Sequence, residues 1–365
     1  MKCTRTAAHA PARKASRFGR PALFAMAAAG VAVIIAAAVS IGWATADRGG
    51  AGGAGGGAVD GSATQARSGA ACADANISVS DEDELRTALE NARPGDVIEL
   101  APGRYEGHFR MTADGESEAP ITLCGTSDSI LDGASTDDGY VVHLDGAAHW
   151  VLDGFSVQNG QKGVMVDATT DSVIRGLDVS DIGDEGIHLR AGSSDNQLLD
   201  NTISDTGLRK PKFGEGIYIG TAESNWCDIS KCEPDPSDRN LIEGNDISNT
   251  TSESVDIKEG TSDGILRDNN LDGAAIHKAD SLVDVKGNGW LIEGNTAEQS
   301  PGDGFQTHEI VDGWGTNNIF RGNAASLSDA GLGFSLQPER ANVLTCDNTV
   351  SGPGAELSNV ECQEE

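Results

Sequence analysis

The chain has 365 residues, with 47 glycines and only 4% aromatic residues, a composition that favours many tight turns and a narrow core. Six of the 26 basic residues precede the first acidic residue, which leaves residues 47–365 with a net charge of −37. That charge disfavours binding to a nucleic-acid backbone or an anionic lipid surface, so neither is an expected partner. A neutral sugar remains compatible, whereas a polyanionic sugar needs a local basic patch or a bridging cation.

The first 46 residues are typical of an export element. A basic segment over residues 1–20 precedes residues 21–46, which carry no charge. The apolar run is long enough to cross a bilayer, yet Ala44-Thr45-Ala46 offers a cleavage site, so a signal peptide and an uncleaved anchor both remain open. Either way the acidic part lies outside the cytoplasm, and any membrane contact is through this segment. Residues 47–71, rich in glycine and alanine, read as a flexible linker before one domain over residues 72–365.

Six of the seven cysteines lie on the exported side of the chain. An even number of cysteines outside the cell suggests disulfides, and proximity in sequence favours the pairs Cys72–Cys124, Cys227–Cys232 and Cys346–Cys362. A zinc site at Cys227 and Cys232 is not expected, because no second pair of cysteines or histidines stands nearby in the sequence.

The domain begins with a short amphipathic helix predicted over residues 81–92. Leu85, Ala88, Leu89 and Ala92 recur at spacings of three or four residues, and acids occupy the first turn. A turn over residues 93–96 and a strand that starts at Val97 follow it.

Beyond this strand the sequence repeats a line of four residues in which apolar and outward-facing positions alternate. Its eight copies span residues 142–145, 164–167, 187–190, 217–220, 255–258, 283–286, 305–308 and 334–337. A second line holds an asparagine turn, with Asn201, Asn245, Asn269, Asn295, Asn323 and Asn348 in its copies. Each repeat is therefore expected to hold two short strands and an asparagine turn, in which the asparagines bond to the backbone and to one another as structure.

The spacings between copies run from 22 to 38 residues, which is typical of a solenoid. Leucine-rich repeats have leucine at fixed positions and include a helix, and neither feature fits here. We therefore predict a parallel β-helix, in which equivalent residues stack in columns about 4.8 Å apart. The longest spacings place projecting loops at residues 206–214 and 221–238.

The opening of the domain resembles a known family. The run from Leu85 through PGDVIELAPGRYEG at residues 94–107 to PITL at residues 120–123 is similar to the start of secreted pectin-lyase-like β-helix proteins. Over residues 76–362 the resemblance implies an all-β fold, a single-stranded right-handed parallel β-helix with an N-terminal capping helix. The chain is most similar to the pectate-lyase, alginate-lyase and chondroitinase-B types of polysaccharide lyase. These imply calcium-assisted β-elimination on a uronic-acid polymer with a lysine or arginine base, although the opening motif itself transfers no active site.

Stacking of the repeats places polar residues in three neighbouring outward columns. Their members are Lys162, Glu185, Glu215, Glu253 and Asp303 in the first, His188, Tyr218, Asp256, Asp284 and Gln306 in the second, and Arg190, Lys258, Lys286 and His308 in the third. The densest patch lies where Asp256 stacks on Asp284 and Lys258 on Lys286. Stacked lysines lower one another's pKa, which favours Lys258 as the base that removes the C5 proton of a uronate. Lys286 or His308 would then assist the leaving oxygen.

Stacked acids repel one another unless they share a cation. Calcium accepts about 6–8 oxygen ligands, which can include water and a substrate carboxylate. The candidate ligands are Glu215, Glu253, Asp256 and Asp284. The alternative is that the acids and lysines form an exposed salt-bridge lattice of little energetic consequence.

Aromatic and amide side chains near these rungs are candidates for sugar binding. Tyr218 and Gln306 lie in the second column, and Trp226 and Trp314 lie on loops where they could stack on sugar rings or pack locally. Trp290, inside a strand, is expected in the core. The early histidines, His143 and His188, are interpreted as surface residues.

The sequence predicts an extracellular monomer, secreted or anchored, that acts on an acidic polysaccharide as a carbon–oxygen lyase with calcium. A glycoside hydrolase on the same scaffold is the enzymatic alternative, because pairs such as Asp256 and Asp284 could supply two carboxylates. An epimerase and a non-catalytic carbohydrate-binding or adhesion solenoid also stay open, since all of them can use the same groove.

Overall fold

A computed structural model of the chain describes residues 72–339 and 341–364. The predicted export element and linker, residues 1–71, lie outside the described residues. Among the residues that are described, no helix has the length and apolar character needed to cross a membrane.

The N-terminal helix spans Glu82–Asn91, within one residue of its predicted bounds. Asp81 caps it, because its carboxylate accepts the backbone N–H of Glu84 at 2.9 Å, and acids fill the first turn where they favour the helix dipole. Leu85 and Leu89 are buried in the core at the start of the coil, so the helix covers the apolar interior that the first rung would otherwise expose.

Strands form three parallel sheets that run the length of the coil. The first sheet contains Ile77–Val79, Val97–Leu100, Ile121–Cys124, Trp150–Asp153, Val173–Arg175, Gln197–Leu199, Leu241–Glu243, Ile265–Arg267, Leu291–Glu293, Ile319–Arg321 and Val343–Leu344. The second contains Gly103–Glu106, Ser129–Asp132, Ser156–Gln158, Asp178–Ser180, Thr202–Ser204, Asp246–Ser248, Asn270–Asp272, Thr296–Ser300, Ala324–Leu327 and Thr349–Ser351. The third contains Phe109–Met111, Tyr140–Asp145, Lys162–Asp167, Ile187–Arg190, Ile217–Ile219, Val255–Ile257, Ser281–Val285, Asp303–Thr307, Leu332–Leu336 and Glu356–Ser358.

This topology confirms the predicted all-β parallel β-helix and corrects its repeat. Each turn of the coil holds three strands instead of two. The predicted asparagine line contains two strands, one in the first sheet and one in the second, as in Leu241–Glu243 and Asp246–Ser248. Both are only three residues long and lie on either side of a two-residue turn, so the sequence shows them as a single line. In the third sheet Val164 aligns with Ile187, and Ile187 with Ile217, so the predicted columns are real and their apolar members are fully buried.

The asparagine column forms a continuous buried ladder. The side-chain amide of Asn201 donates to Asn245 at 2.9 Å, that of Asn245 to Asn269 at 2.9 Å and that of Asn269 to Asn295 at 2.8 Å. Each amide also donates to a backbone carbonyl of an earlier rung, as Asn269 does to Ile242 at 3.0 Å. The ladder satisfies the buried polar groups of the turn, which confirms the structural role predicted for it.

Two insertions interrupt the short turns, and both lie where the long spacings predicted loops. Residues 206–214 include a 3-10 turn at Pro211–Phe213, and residues 221–238 include a 3-10 turn at Glu223–Asn225 and a short helix at Trp226–Ile229. The second loop is fixed by the buried carboxylate of Asp235, which accepts the backbone N–H of Gly192 at 2.8 Å. All three predicted disulfides are present.

Candidate functional site

The third sheet brings the predicted site residues together on its outer face. Parallel register stacks His188, Tyr218, Asp256, Asp284 and Gln306 on successive rungs. Successive rungs are about 4.8 Å apart, so this register places side chains that are up to 118 positions apart in sequence in one column.

Charged groups alternate along the centre of this face. The ammonium of Lys258 lies 2.5 Å from Oδ2 of Asp256, and that of Lys286 lies 2.9 Å from Oδ1 of Asp256 and 2.6 Å from Oδ2 of Asp284. Nδ1 of His308 lies 2.8 Å from Oδ1 of Asp284. The predicted stack of acids and lysines is therefore a chain of ion pairs whose members, apart from His308, are mostly buried.

The pKa values of these lysines move opposite to the sequence prediction. Burial disfavours the charged form of Lys258, but the carboxylate of Asp256 outweighs it, and the pKa of Lys258 is raised. The pKa of Lys286 is raised in the same way, by Asp256 and Asp284 acting against burial. The charge of Lys258 does lower the pKa of Lys286, as expected of stacked lysines, but the carboxylates of Asp256 and Asp284 outweigh it, so the expected net decrease is wrong.

Asp284 and His308 form a hydrogen-bonded pair next to these lysines. Burial raises the pKa of Asp284, but the charge of Lys286 and the bond from His308 exceed it and lower that pKa to about 2. The hydrogen bond to Asp284 in turn raises the pKa of His308 against the effect of burial. Asp284 is thus held by cations on two sides.

An acidic cluster lies beside the ion-pair chain. One carboxylate oxygen each from Glu215, Glu253 and Asp256 lies within 4.8 Å of the others. Oε2 of Glu215 is buried without a hydrogen-bond partner among the described residues. Burial, followed by the charge of Asp256, raises the pKa of Glu215 well above its usual value and also raises that of Glu253. The three carboxylates bring together hard oxygen donors of the kind that a divalent cation such as calcium prefers. The orphaned oxygen of Glu215 could bind a cation directly, whereas both oxygens of Asp256 are bonded to lysine ammonium groups, one of which the cation would have to displace.

Asp284 does not join this cluster, so its prediction as a fourth metal ligand is not supported by the geometry. Asp284 is not among the carboxylates that lie within 4.8 Å of one another, and its own oxygens bond to Lys286 and His308. Sequence reasoning grouped it with the acids because stacked columns give spacing but not the direction in which each carboxylate turns.

Tyr218 lies on the rung next to Asp256 and contacts Lys258. The ammonium of Lys258 lies 5.0 Å from the centroid of the tyrosine ring, on a cation–π contact. Burial raises the pKa of Tyr218 well above 10, and the charges of Asp256 and Glu215 raise it further. The phenol is therefore protonated and can act as a hydrogen-bond or proton donor.

His188 is buried rather than exposed, which corrects its interpretation as a surface residue. Its ring centroid lies 4.4 Å from that of Tyr218, and its Nε2 donates to the carbonyl of Gly220 at 3.1 Å. Its Nδ1 accepts from Lys162 at 3.1 Å, and Lys162 pairs with Glu185 at 2.7 Å. Burial and the charge of Lys162 lower the pKa of His188, so the ring is neutral. The sequence placed Lys162 and Glu185 in the first column without assigning them a role.

The predicted sugar-binding residues divide into two groups. Gln306 lies in the column, where its Nε2 donates to Asp303 at 3.1 Å while its buried Oε1 has no partner among the described residues. Trp314 is half-buried on a loop whose Gly315 donates a backbone N–H to Lys286 at 2.9 Å, so this loop borders the site. Trp226 is only 8% exposed and its indole donates to the carbonyl of Thr221, so of the two interpretations left open for this ring the structure favours local packing.

Known proteins with the same β-helix architecture are similar to this chain. The family described as right handed beta helix region matches residues 125–234. The crystal structure of an alginate lyase from Paenibacillus sp. str. FPU-7 is 34% identical, over 77% of this chain and 98% of that one, with a TM-score of 0.69. Pectate lyase Pel9A is 15% identical over 76% and 72% of the two chains, with a TM-score of 0.59.

A polygalacturonase from Erwinia carotovora ssp. carotovora is 9% identical over 80% of this chain and 97% of that one, with a TM-score of 0.54. At such identities the pectate lyase and the polygalacturonase show the fold alone. No curated protein matches the sequence at a significant level.

Proposed function

The chain belongs to the right-handed β-helix family that includes the Paenibacillus alginate lyase, and on this premise we propose that it is an extracellular lyase that cleaves a uronic-acid polysaccharide by β-elimination. The observation that carries the proposal is the juxtaposition of Lys258 and Tyr218 on the outer face of the third sheet, next to the ion-pair chain. The three disulfides fit an oxidising compartment outside the cell.

β-Elimination requires the protein to perform three tasks. The uronate carboxylate must be neutralised so that the C5 proton becomes acidic, a base must take that proton, and an acid must protonate the leaving oxygen at C4. We assign the base to Lys258, as the sequence suggests. We assign the role of proton donor to Tyr218, because its phenol stays protonated. Lys286 is not assigned this role, because its ammonium is held between the carboxylates of Asp256 and Asp284. His308 lies at the end of the ion-pair chain and is 40% exposed, and it supplies positive charge toward the uronate carboxylate of the substrate.

The raised pKa of Lys258 has a kinetic consequence. A base that is mostly protonated at neutral pH is active in only a small fraction of molecules, so turnover should increase toward alkaline pH. Were His308 the base, the increase would instead lie close to neutrality, because its pKa is raised from a lower starting value.

Calcium fits the acidic cluster, and Glu215, Glu253 and Asp256 are the residues that would hold it. When bound, it would neutralise negative charge where the uronate carboxylate docks. Two of these carboxylates, Asp256 and Glu215, also act without it, because their charges add to the effect of burial in raising the pKa of Tyr218.

The proposal is tested with the purified protein, calcium and a panel of alginate, polygalacturonate and chondroitin. A lyase leaves an unsaturated uronate whose ultraviolet absorbance increases with time, and Lys258→Ala should remove that increase. New reducing ends without the band would identify a hydrolase. Retention on an immobilised polysaccharide without either product would identify a binding protein.

A further inference from the structure

Two neighbouring loops carry lysines without counter-ions in a chain of strongly negative charge. Most described lysines and arginines have a carboxylate within 4.0 Å. The described exceptions are Arg93, Lys210, Lys212, Lys231 and Lys278. Three of these five, Lys210, Lys212 and Lys278, lie on the loops over residues 206–214 and 273–280, and all three are exposed.

Thr251 joins these two loops. Its hydroxyl donates to the carbonyl of Pro211 at 2.8 Å, and its own carbonyl accepts the backbone N–H of Lys278 at 3.1 Å. A Cβ on Gly207 would lie 1.7 Å from the Thr251 hydroxyl oxygen, and a Cβ on Gly214 would lie 2.0 Å from it, so the loop closes around this side chain. Thr251 therefore holds in place the backbone of the two loops that carry the lysines.

The first loop is also fastened to the rung before it. The guanidinium of Arg209 donates to Asp184, with Nε at 3.1 Å from Oδ1, and the backbone N–H of Arg209 donates to Gly183 at 2.8 Å. Asp184 is buried, so this cation serves to anchor the loop, while Lys210 and Lys212 on either side of Pro211 remain exposed to solvent.

Both loops end at the candidate site. The first loop leads directly into Glu215, two residues before the strand Ile217–Ile219, and the second leads into Ser281, the first residue of the strand Ser281–Val285. These strands of the third sheet lie on either side of the Glu253 rung. The lysines thus border the acidic column along two rungs, on the side where the chain enters the sheet.

The loops also present an aromatic face. Phe213 is 37% exposed, with the ammonium of Lys212 at 4.4 Å and that of Lys210 at 5.7 Å from its ring centroid. An exposed ring flanked by cations offers a sugar both a surface to stack on and charges for its carboxylate. We call Lys210, Lys212, Phe213 and Lys278 the basic platform.

We propose that the basic platform is a binding subsite for the carboxylates of uronate residues that flank the cleavage point. This inference rests on the proposed function and specifies how a polyanion is held by an acidic protein. The remaining surface repels such a chain, whereas a local cluster of unpaired cations attracts it within about one Debye length, roughly 8–10 Å at moderate salt.

The test compares Lys210→Ala/Lys212→Ala/Lys278→Ala with Arg93→Ala. Arg93 is matched as an exposed, unpaired cation, and it lies in the turn after the N-terminal helix, far along the coil. At low ionic strength the triple variant should show an increase in KM for alginate or polygalacturonate on the order of tenfold, with the effect on KM rather than kcat. Retention on immobilised alginate should fall in parallel, and both differences should vanish near ~1 M NaCl.

The outcomes separate the subsite from the reaction. If the parent forms unsaturated product and the triple variant matches Arg93→Ala in KM and retention, the subsite is wrong while the lyase stands. If the parent forms no product yet the triple variant loses retention on alginate, the lyase is wrong while the subsite stands. Equal loss of retention on neutral dextran would also overturn the subsite, because it would show general damage. Thermal melting of each variant establishes that it is folded.

Discussion

Asp256 determines the charge state of the groups around it. It is 2% exposed, and both of its oxygens accept from lysine ammonium groups. The sequence shows that Lys258 and Lys286 occupy one column, but it cannot show that both turn toward Asp256 instead of facing one another. The direction of a pKa shift depends on distances of a few ångströms, which a column assignment does not contain.

Replacing Lys258 with alanine should reduce kcat by about 10²–10⁴-fold, the usual contribution of a general base, with little effect on binding. Lys231→Ala, which removes an exposed and unpaired lysine, is the matched control and should keep parental turnover. The measurement is the initial rate of absorbance increase across a pH series. Parental rates should increase toward alkaline pH, and a Lys258→Ala protein that retained this profile at near-parental rates would remove the assignment.

Glu215 should make folding stability fall as pH rises. Burial raises its pKa in the folded protein above the value in the unfolded chain, so the folded state holds the proton more tightly. Stability is therefore full below the unfolded pKa, near 4.5, and is lost as pH rises through the folded value. Glu215→Gln should flatten this loss in a series of thermal melts from acidic to alkaline pH.

Calcium should reverse the same loss, because a cation that binds the ionised cluster stabilises the folded state. The melting temperature should rise with calcium mainly at neutral and alkaline pH, and Glu215→Gln should reduce the rise. The exposed Glu298→Gln serves as a matched control. Equal melting temperatures with calcium and with a chelator at alkaline pH would show that the cluster binds no calcium.

The asparagine ladder is the element that the sequence predicted best, and the reason is physical. Every copy of the turn must satisfy the same buried backbone groups, so the same residue recurs at Asn245, Asn269 and Asn295 and the repetition is visible in one dimension. The two strands on either side of this turn, such as Leu241–Glu243 and Asp246–Ser248, are only three residues each and only two residues apart, so the sequence showed them as one line. The sequence could not choose between sugar stacking and local packing for Trp226, because the direction of the ring depends on the short helix at Trp226–Ile229 that buries it.

Removing one member of the ladder should destabilise the coil. Asn269→Ala deletes donors to Asn295 and Ile242 and leaves the buried backbone N–H of Asn245 without its acceptor, which should cost about 2–3 kcal/mol. Asn270→Ala is the matched control, because Asn270 is adjacent and exposed, and it should change stability by less than about 0.5 kcal/mol. Urea unfolding measures both, and equal midpoints would show that the ladder contributes no stability.

Across the whole molecule the coil turns a dispersed sequence into one face. Lys162 and His308 are 146 positions apart, yet parallel stacking carries the face from the first to the second in successive rungs. The sequence predicted this face because its columns follow from the repeat. It did not single out the lysines of the basic platform, which lie on two loops outside the repeated lines and are joined by Thr251.

The two electrostatic fields of the molecule predict a maximum in activity against ionic strength. The net charge of −37 over residues 47–365 repels a polyanionic substrate at long range, and salt screens this repulsion first. The attraction between the basic platform and uronate carboxylates acts at short range, so it weakens only at higher salt.

We therefore expect kcat/KM on alginate or polygalacturonate to increase from about 10 mM to about 150 mM NaCl, where the Debye length falls from roughly 30 to 8 Å, and to decrease toward 1 M. In Lys210→Ala/Lys212→Ala/Lys278→Ala the decreasing part should flatten, while Arg93→Ala should keep the parental curve. A continuous decrease from the lowest salt would show that the overall negative charge does not govern the approach of the substrate.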